Sequence, residues 1–145
     1  MVDWLALVTK WDGALKPTQG LRAFPPASAD ALGALRAMLG TSRTALLDLY
    51  TTTDGIQTTV RIEGAELDDI WLVWGVSELL DRNAIREEAT RFAFAHAGVD
   101  GIVFRIDPSD GDSVHVYWPM ERREEKRAHS LQAFLDGWCH GTITI

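Results

Sequence analysis

Cysteine is nearly missing from this sequence: Cys139 stands alone, so no intramolecular disulfide can form, as expected of a protein kept in a reducing compartment. Long apolar runs are missing too. The stretch from Ile70 to Val76 is far too short to cross a bilayer, and Asp3, not a basic leader, precedes the apolar Trp4 to Val8. Together these point to the cytoplasm. Positive charge is in deficit, with 14 Lys and Arg against 21 Asp and Glu and a formal charge of −7. Such a chain repels phosphate backbones and anionic lipid, so nucleic acid and membrane are not expected as partners. The same charge favours a basic protein surface, and it also serves solubility. Phosphate-cradling glycine loops, Gly-x-Ser-x-Gly and paired-histidine helices are absent, as are repeats and internal linkers.

What is present is ordinary globular material. The length of 145 residues suits one domain, 1–145, and the apolar fraction of 46% with 24% charged side chains excludes disordered and fibrous classes. Trp4, Leu7, Val8 and Trp11 mark a short amphipathic helix that is expected to turn at Asp12-Gly13. Pro17, Gly20, Pro25 and Pro26 predict an extended connection. Ser28 caps a helix carrying Leu32, Leu35, Met38 and Leu39 and ending at Gly40. Thr41 or Ser42 is the expected cap of another, bearing Leu46, Leu47, Leu49 and Tyr50 and stopping before the Asp54-Gly55 turn.

The period then changes. Ile70 to Trp74 reads as a strand buried on both faces, and Ser77 as the cap of a brief helix through Leu80. Between Ala84 and His96 the first half, with Arg86, Glu87 and Glu88, favours helix, and the alternation of Arg91 to Phe94 favours strand. Ile102 to Ile106 and Val114 to Trp118 predict a hairpin around the turn-forming run Asp107 to Asp112. The mixed-charge run Glu121 to Arg127 reads as a solvated loop or helix end. Ser130 caps a last helix with Leu131, Phe134, Leu135 and Trp138, and Gly141 to Ile145 leaves a β-like tail. Leu35, Leu46, Ile70, Trp71, Val103 and Phe134 are the expected core.

No constellation points to catalysis. His96, His115, His129 and His140 lie on separate elements, and Cys139 has no second cysteine near it, so neither a metal site nor a cofactor site is expected. Asp107 to Asp112 is superficially like a calcium loop, yet Pro108 fills its second place and Trp118 stands where the bidentate glutamate belongs. Cys139 lies between Trp138 and His140, but adjacent helical residues point in different directions. An enzyme would require the fold to bring two histidines and an acid into one pocket. Most of the six tryptophans fit core stripes; Trp118, before Pro119, reads as a rim residue. The acids are more suggestive. Glu63, Glu66, Asp68 and Asp69 precede the Ile70 strand, Asp107, Asp110 and Asp112 fill the hairpin, and both sets are read as loop carboxylates available to a basic partner.

The order of elements resembles the SUKH superfamily, which includes fungal cell-wall assembly regulators and many bacterial toxin-immunity proteins. The resemblance runs over Pro25-Pro26-Ala27-Ser28, Leu32, Leu35, Leu39-Gly40, Leu46, Leu49-Tyr50 and Asp54-Gly55-Ile56. It resumes at Asp100-Gly101 with Ile102-Val103-Phe104, at Val116-Tyr117-Trp118, and at Ser130-Leu131, Phe134-Leu135 and Gly137-Trp138. The family's leucine-proline step after leucine-glycine is replaced by Ser42-Arg43-Thr44-Ala45, which suggests a divergent branch. The resemblance implies an α+β fold with helices packed on a central, mainly antiparallel sheet, no catalytic residues, and protein recognition. Two functions follow as expectations: an immunity protein that neutralises a cognate toxin domain, or a general interaction module akin to the cell-wall regulators. A toxin domain that attacks nucleic acid would be basic, which suits the negative charge.

Overall fold

The computed structural model describes residues 2–15, 17–40, 44–85, 90–98 and 100–145. Helix α1 (Trp4–Ala14) buries Trp4, Val8 and Trp11 on one stripe, and the Asp3 carboxylate caps its first turn by accepting from Ala6 N at 3.1 Å. It does not turn at Asp12-Gly13. The Asp12 side chain instead accepts from the Leu21 amide at 2.9 Å, which ties the helix to strand β1 (Gln19–Ala23) within the proline-flanked segment expected as an extended connection. Ser28 caps α2 (Ala29–Leu39), and Gly40 ends it, both as expected. Helix α3 (Ala45–Tyr50) is capped by Thr44, whose hydroxyl accepts from Leu46 N. Thr41 and Ser42, the expected caps, lie outside the described residues.

Strand β2 (Ile56–Ile62) runs through a stretch that the sequence reading left unassigned, and β3 (Ala65–Val73) begins well before Ile70. Helix α4 (Val76–Arg82) starts at Gly75, not at Ser77, because Asp54 from the preceding turn accepts from Val76 N at 2.8 Å and takes over the capping role. Gly55 makes that approach possible: at φ 111°, a Cβ there would lie 2.9 Å from both Gly75 N and Val73 O. Strand β4 (Phe92–His96) follows where alternation predicted one, whereas residues 86–89 are not described. Strands β5 (Val103–Asp107) and β6 (Ser113–Trp118) form the expected hairpin around a 3-10 turn, Pro108–Asp110. The mixed-charge run is not a loop but strand β7 (Arg123–Ala128), a charged edge of the kind that discourages pairing with another chain. Ser130 caps the last helix, α5 (Leu131–Cys139). The tail after it is not β. It folds back, with Thr142 N and Ile143 N both donating to Gly137 O, and Ile143 lies where a side chain at position 137 would stand, 2.6 Å from that Cβ.

The chain is thus α+β. All strand pairs are antiparallel, in a sheet ordered β1-β2-β3 and a second ordered β4-β5-β6-β7. The sheets adjoin where Trp74 N donates to Phe94 O at 2.8 Å. One apolar cluster runs through both, from Trp4 and Trp11 through Leu35, Leu46, Ile56 and Val73 to Phe94, Phe104 and Phe134. Phe134 meets Phe94 edge-on at 5.7 Å and Phe104 at 4.7 Å. Leu35, Leu46 and Phe134 are buried as expected, but Ile70, Trp71 and Val103 are only partly so. Ile70 and Trp71 lie where β3 leaves the body, and Trp71 packs at the surface on Phe24, ring centroids 5.0 Å apart.

Candidate functional site

The most exposed part of the sheet is the hairpin that joins β2 and β3. Its turn, Glu63-Gly64, holds both residues at positive φ, 52° and 80°, the geometry that lets a two-residue loop join twisted antiparallel strands. Ile62 pairs with Ala65, Arg61 with Glu66, Val60 with Leu67 and Thr59 with Asp68. Strict alternation then sorts the side chains. Val60, Ile62, Ala65 and Leu67 share one face; Thr59, Arg61, Glu66 and Asp68 share the other. Nearer the body the register shifts twice, between Ile56 and Gln57 and between Gln57 and Thr59. The Thr58 hydroxyl fills one irregularity, accepting from Ile70 N at 3.0 Å and donating to Ile70 O at 3.1 Å. Bulges of this kind bend a strand and raise its twist, so β3 has a buried half at Leu72–Val73 and a solvated half at Ala65–Asp69. Every residue from Arg61 to Asp69 is exposed, including Ile62 at 54% and Leu67 at 48%.

Glu66, Asp68 and Asp69 therefore lie in a strand, not in a connection, and only Glu63 occupies a turn. Arg22 on β1 reaches two of them, with Nη1 2.8 Å from Asp68 Oδ1 and Nη2 3.5 Å from Glu66 Oε1. Asp69 lies on the Leu67 face, 3.4 Å from the Thr58 hydroxyl. The apolar members Ile62 and Leu67 are not among the expected site residues. Their signal was there in the alternation of Val60-Arg61-Ile62 and Ala65-Glu66-Leu67 about Glu63-Gly64.

The second acidic set is spent inside the molecule. Asp107 is 5% exposed and pairs with Arg91, whose Nε is 3.1 Å from Asp107 Oδ2. Its other oxygen accepts from the Ser109 amide and hydroxyl. Asp112 accepts from Ala45 N at 2.9 Å and so fastens the β5–β6 turn to α3. Asp110 is exposed but bonded by Ser113 and Lys126, which hold its carboxyl below the usual range. Trp118 is no rim residue: at 8% exposure it belongs to the core, with the Arg123 guanidinium 4.1 Å over its ring. These residues continue into a network on the outer face of the second sheet. Glu124 pairs with Arg91, Nη1 to Oε1 3.0 Å, and accepts from Arg105, which stacks 4.0 Å over Tyr117. His115 lies beside it, with Nε2 2.9 Å from Ser113 Oγ; burial lowers its pKa and so keeps it neutral, despite Glu124 at 3.5 Å.

Two further places hold titratable groups that chemistry could use. A groove of about 700 Å³ lies between Pro25-Pro26, Trp71, Trp74 and α4, with His96 stacked on Trp74 at 6.1 Å and Arg82 5.4 Å over the same ring. Burial and the neighbouring Arg82 lower the pKa of His96. Cys139 is buried, and burial together with Asp136 pushes its thiol up to about 12, away from a nucleophile's range. Among the described residues no three His, Cys, Asp or Glu side chains are grouped to hold a metal ion, and no helix is long and apolar enough to span a membrane. Compared with models of known protein families and with curated proteins, the chain matches none.

Proposed function

We propose that this protein is a non-catalytic recognition domain that binds a basic partner protein through the β2–β3 hairpin arm, and that it acts as an immunity protein neutralising a cognate toxin domain. The observation that carries the reading is the arm itself. Two large apolar side chains, Ile62 and Leu67, stand in water on one face of a hairpin that carries four exposed carboxylates, Glu63, Glu66, Asp68 and Asp69. Apolar surface left exposed next to charge is the composition of a docking site, where apolar anchors hold and charges steer. The net charge of −7 acts in the same direction, and the resemblance to the SUKH superfamily supports an immunity role. The buried, protonated Cys139 and the neutral, hydrogen-bonded His115 fit structural duties better than catalytic ones.

The test replaces Glu66, Asp68 and Asp69 together by lysine and measures association with the partner captured by the wild-type protein, at low and moderate salt. On-rate should fall about tenfold or more at low salt, with a weaker salt dependence. Folding stability should change by less than about 1 kcal/mol, because exposed ion pairs such as Arg22 with Asp68 contribute little. The matched control reverses Asp110 on the other hairpin and should leave association unchanged. Unaltered kinetics in the triple variant would reassign the acidity of the arm to solubility.

A further inference from the structure

We propose that the outer edge of β3 over Ala65–Asp69 accepts an extended, basic segment of the partner as an added antiparallel strand, an inference that rests on the arm being the recognition surface. The other sheet edges are each partly covered or carry charges of both signs. Asp12 of α1 takes up the Leu21 amide on β1. Strand β7 carries Arg123, Glu124, Glu125, Lys126 and Arg127 in succession, and Arg127 donates to Thr144 O of the folded-back tail. Strand β4 adjoins the end of β3 through Trp74 N and Phe94 O, and Gly98 beyond it lies against Ile70. Before Ile70, the outer edge of β3 meets no strand, helix or side-chain partner among the described residues. An unpaired edge presents its free amides and carbonyls as a template for an incoming chain.

The side chains define what enters. Alternation places Leu67 and Ala65 on one face of the edge and Glu66 and Asp68 on the other. An added strand would therefore set an apolar side chain beside Leu67 and a lysine or arginine beside each carboxylate, the favourable cross-strand pairs. A second copy of this chain is the wrong occupant. Antiparallel self-pairing centred on Leu67 puts Glu66 opposite Asp68 twice, and like charges directly opposed are destabilising. Arg22 and Arg61 offset only part of the charge of Glu63, Glu66, Asp68 and Asp69, which leaves the arm acidic and open to a basic strand.

The probe is a nine-residue peptide alternating lysine and valine, compared with a twin N-methylated at every amide and with an alternating glutamate and valine peptide. With the full chain isotopically labelled, the basic peptide should shift the amide resonances of residues 65–69 and slow their exchange. The methylated twin keeps the charge but has no amide to donate, so it should bind about tenfold or more weakly. Leu67→Lys, at an exposed position, should weaken the basic peptide without lowering the unfolding midpoint. Equal binding of both basic peptides would overturn strand addition and leave charge-driven docking on the arm intact. Failure of the basic peptide to perturb these amides, or equal binding of the acidic one, would also overturn it, and the arm would then stand or fall on the lysine triple variant. Concentration-dependent protection of the same amides without peptide would replace the basic segment by a second copy.

Discussion

The side chains that sequence reading placed best are those with one local job. Ser28 and Ser130 cap the helices they were expected to cap, accepting from Ala31 N and Ala133 N at 3.1 Å, because capping involves only the next three residues. Carboxylates were harder, since an aspartate has the same sequence signature whether it is solvated, as Asp68 largely is, or buried against Arg91, as Asp107 is. Cys139 offers a residue-scale test. Its thiol titrates near 12 in the folded chain and near 8.5 when unfolded, so the folded state binds the proton more tightly. The stability this contributes is complete below about pH 8.5 and is lost as pH rises toward about 12. Denaturant titrations across that window should show stability falling with pH, and Cys139→Ser should flatten the fall. Thiol reagents at pH 8 should modify the native protein far more slowly than the unfolded one.

At the scale of elements, strong periodicity was legible and edge strands were not. Helices α1, α2, α3 and α5 follow their apolar stripes, and β5 and β6 their alternation. Strands β1 and β7 escaped because neither carries a fully buried position or an apolar alternation: Leu21 is the one large apolar residue of β1, and β7 is charged from Arg123 to Arg127. They are strands because a neighbour supplies the pairing, not because their own composition demands it. Helix α4 shows the same dependence. Gly75 has no capping side chain, and Asp54 from another segment does the work at 2.8 Å. Asp54→Ala should therefore cost about 1 to 2 kcal/mol in chemical unfolding, a helix-cap effect at a residue distant in sequence from the helix start. Ser77→Ala, at the position sequence favoured, should cost under about 0.5 kcal/mol. The reverse order would return the cap to Ser77.

The molecule as a whole is built as two sheets over one core. Tyr50 of α3 donates to Trp74 O at 2.6 Å where the sheets adjoin, and the cluster that includes Ile56 and Val73 of the first sheet also includes Phe94 and Phe104 of the second. Neither sheet can lose its packing without exposing the other's. Urea unfolding followed by tryptophan fluorescence and by far-ultraviolet circular dichroism should accordingly give one coincident transition. Separate midpoints would mean that the first sheet, with its solvated arm, unfolds on its own.

The sequence by itself determined the α+β class, the caps of α2 and α5, the β5–β6 hairpin and the acidic balance, because periodicity, local capping and charge are properties of neighbouring residues. Tertiary structure alone decided which acids face water. Strand register aligned Glu66 and Asp68 with Arg22, distant in the chain, and drew Asp107 against Arg91. It also decided that Leu67 and Ile62 would stand exposed. The register shifts opposite Ile56–Thr59, whose extra residues lie on β3, separate its solvated first half from its buried last residues, and no local pattern in the chain states where a strand stops being covered.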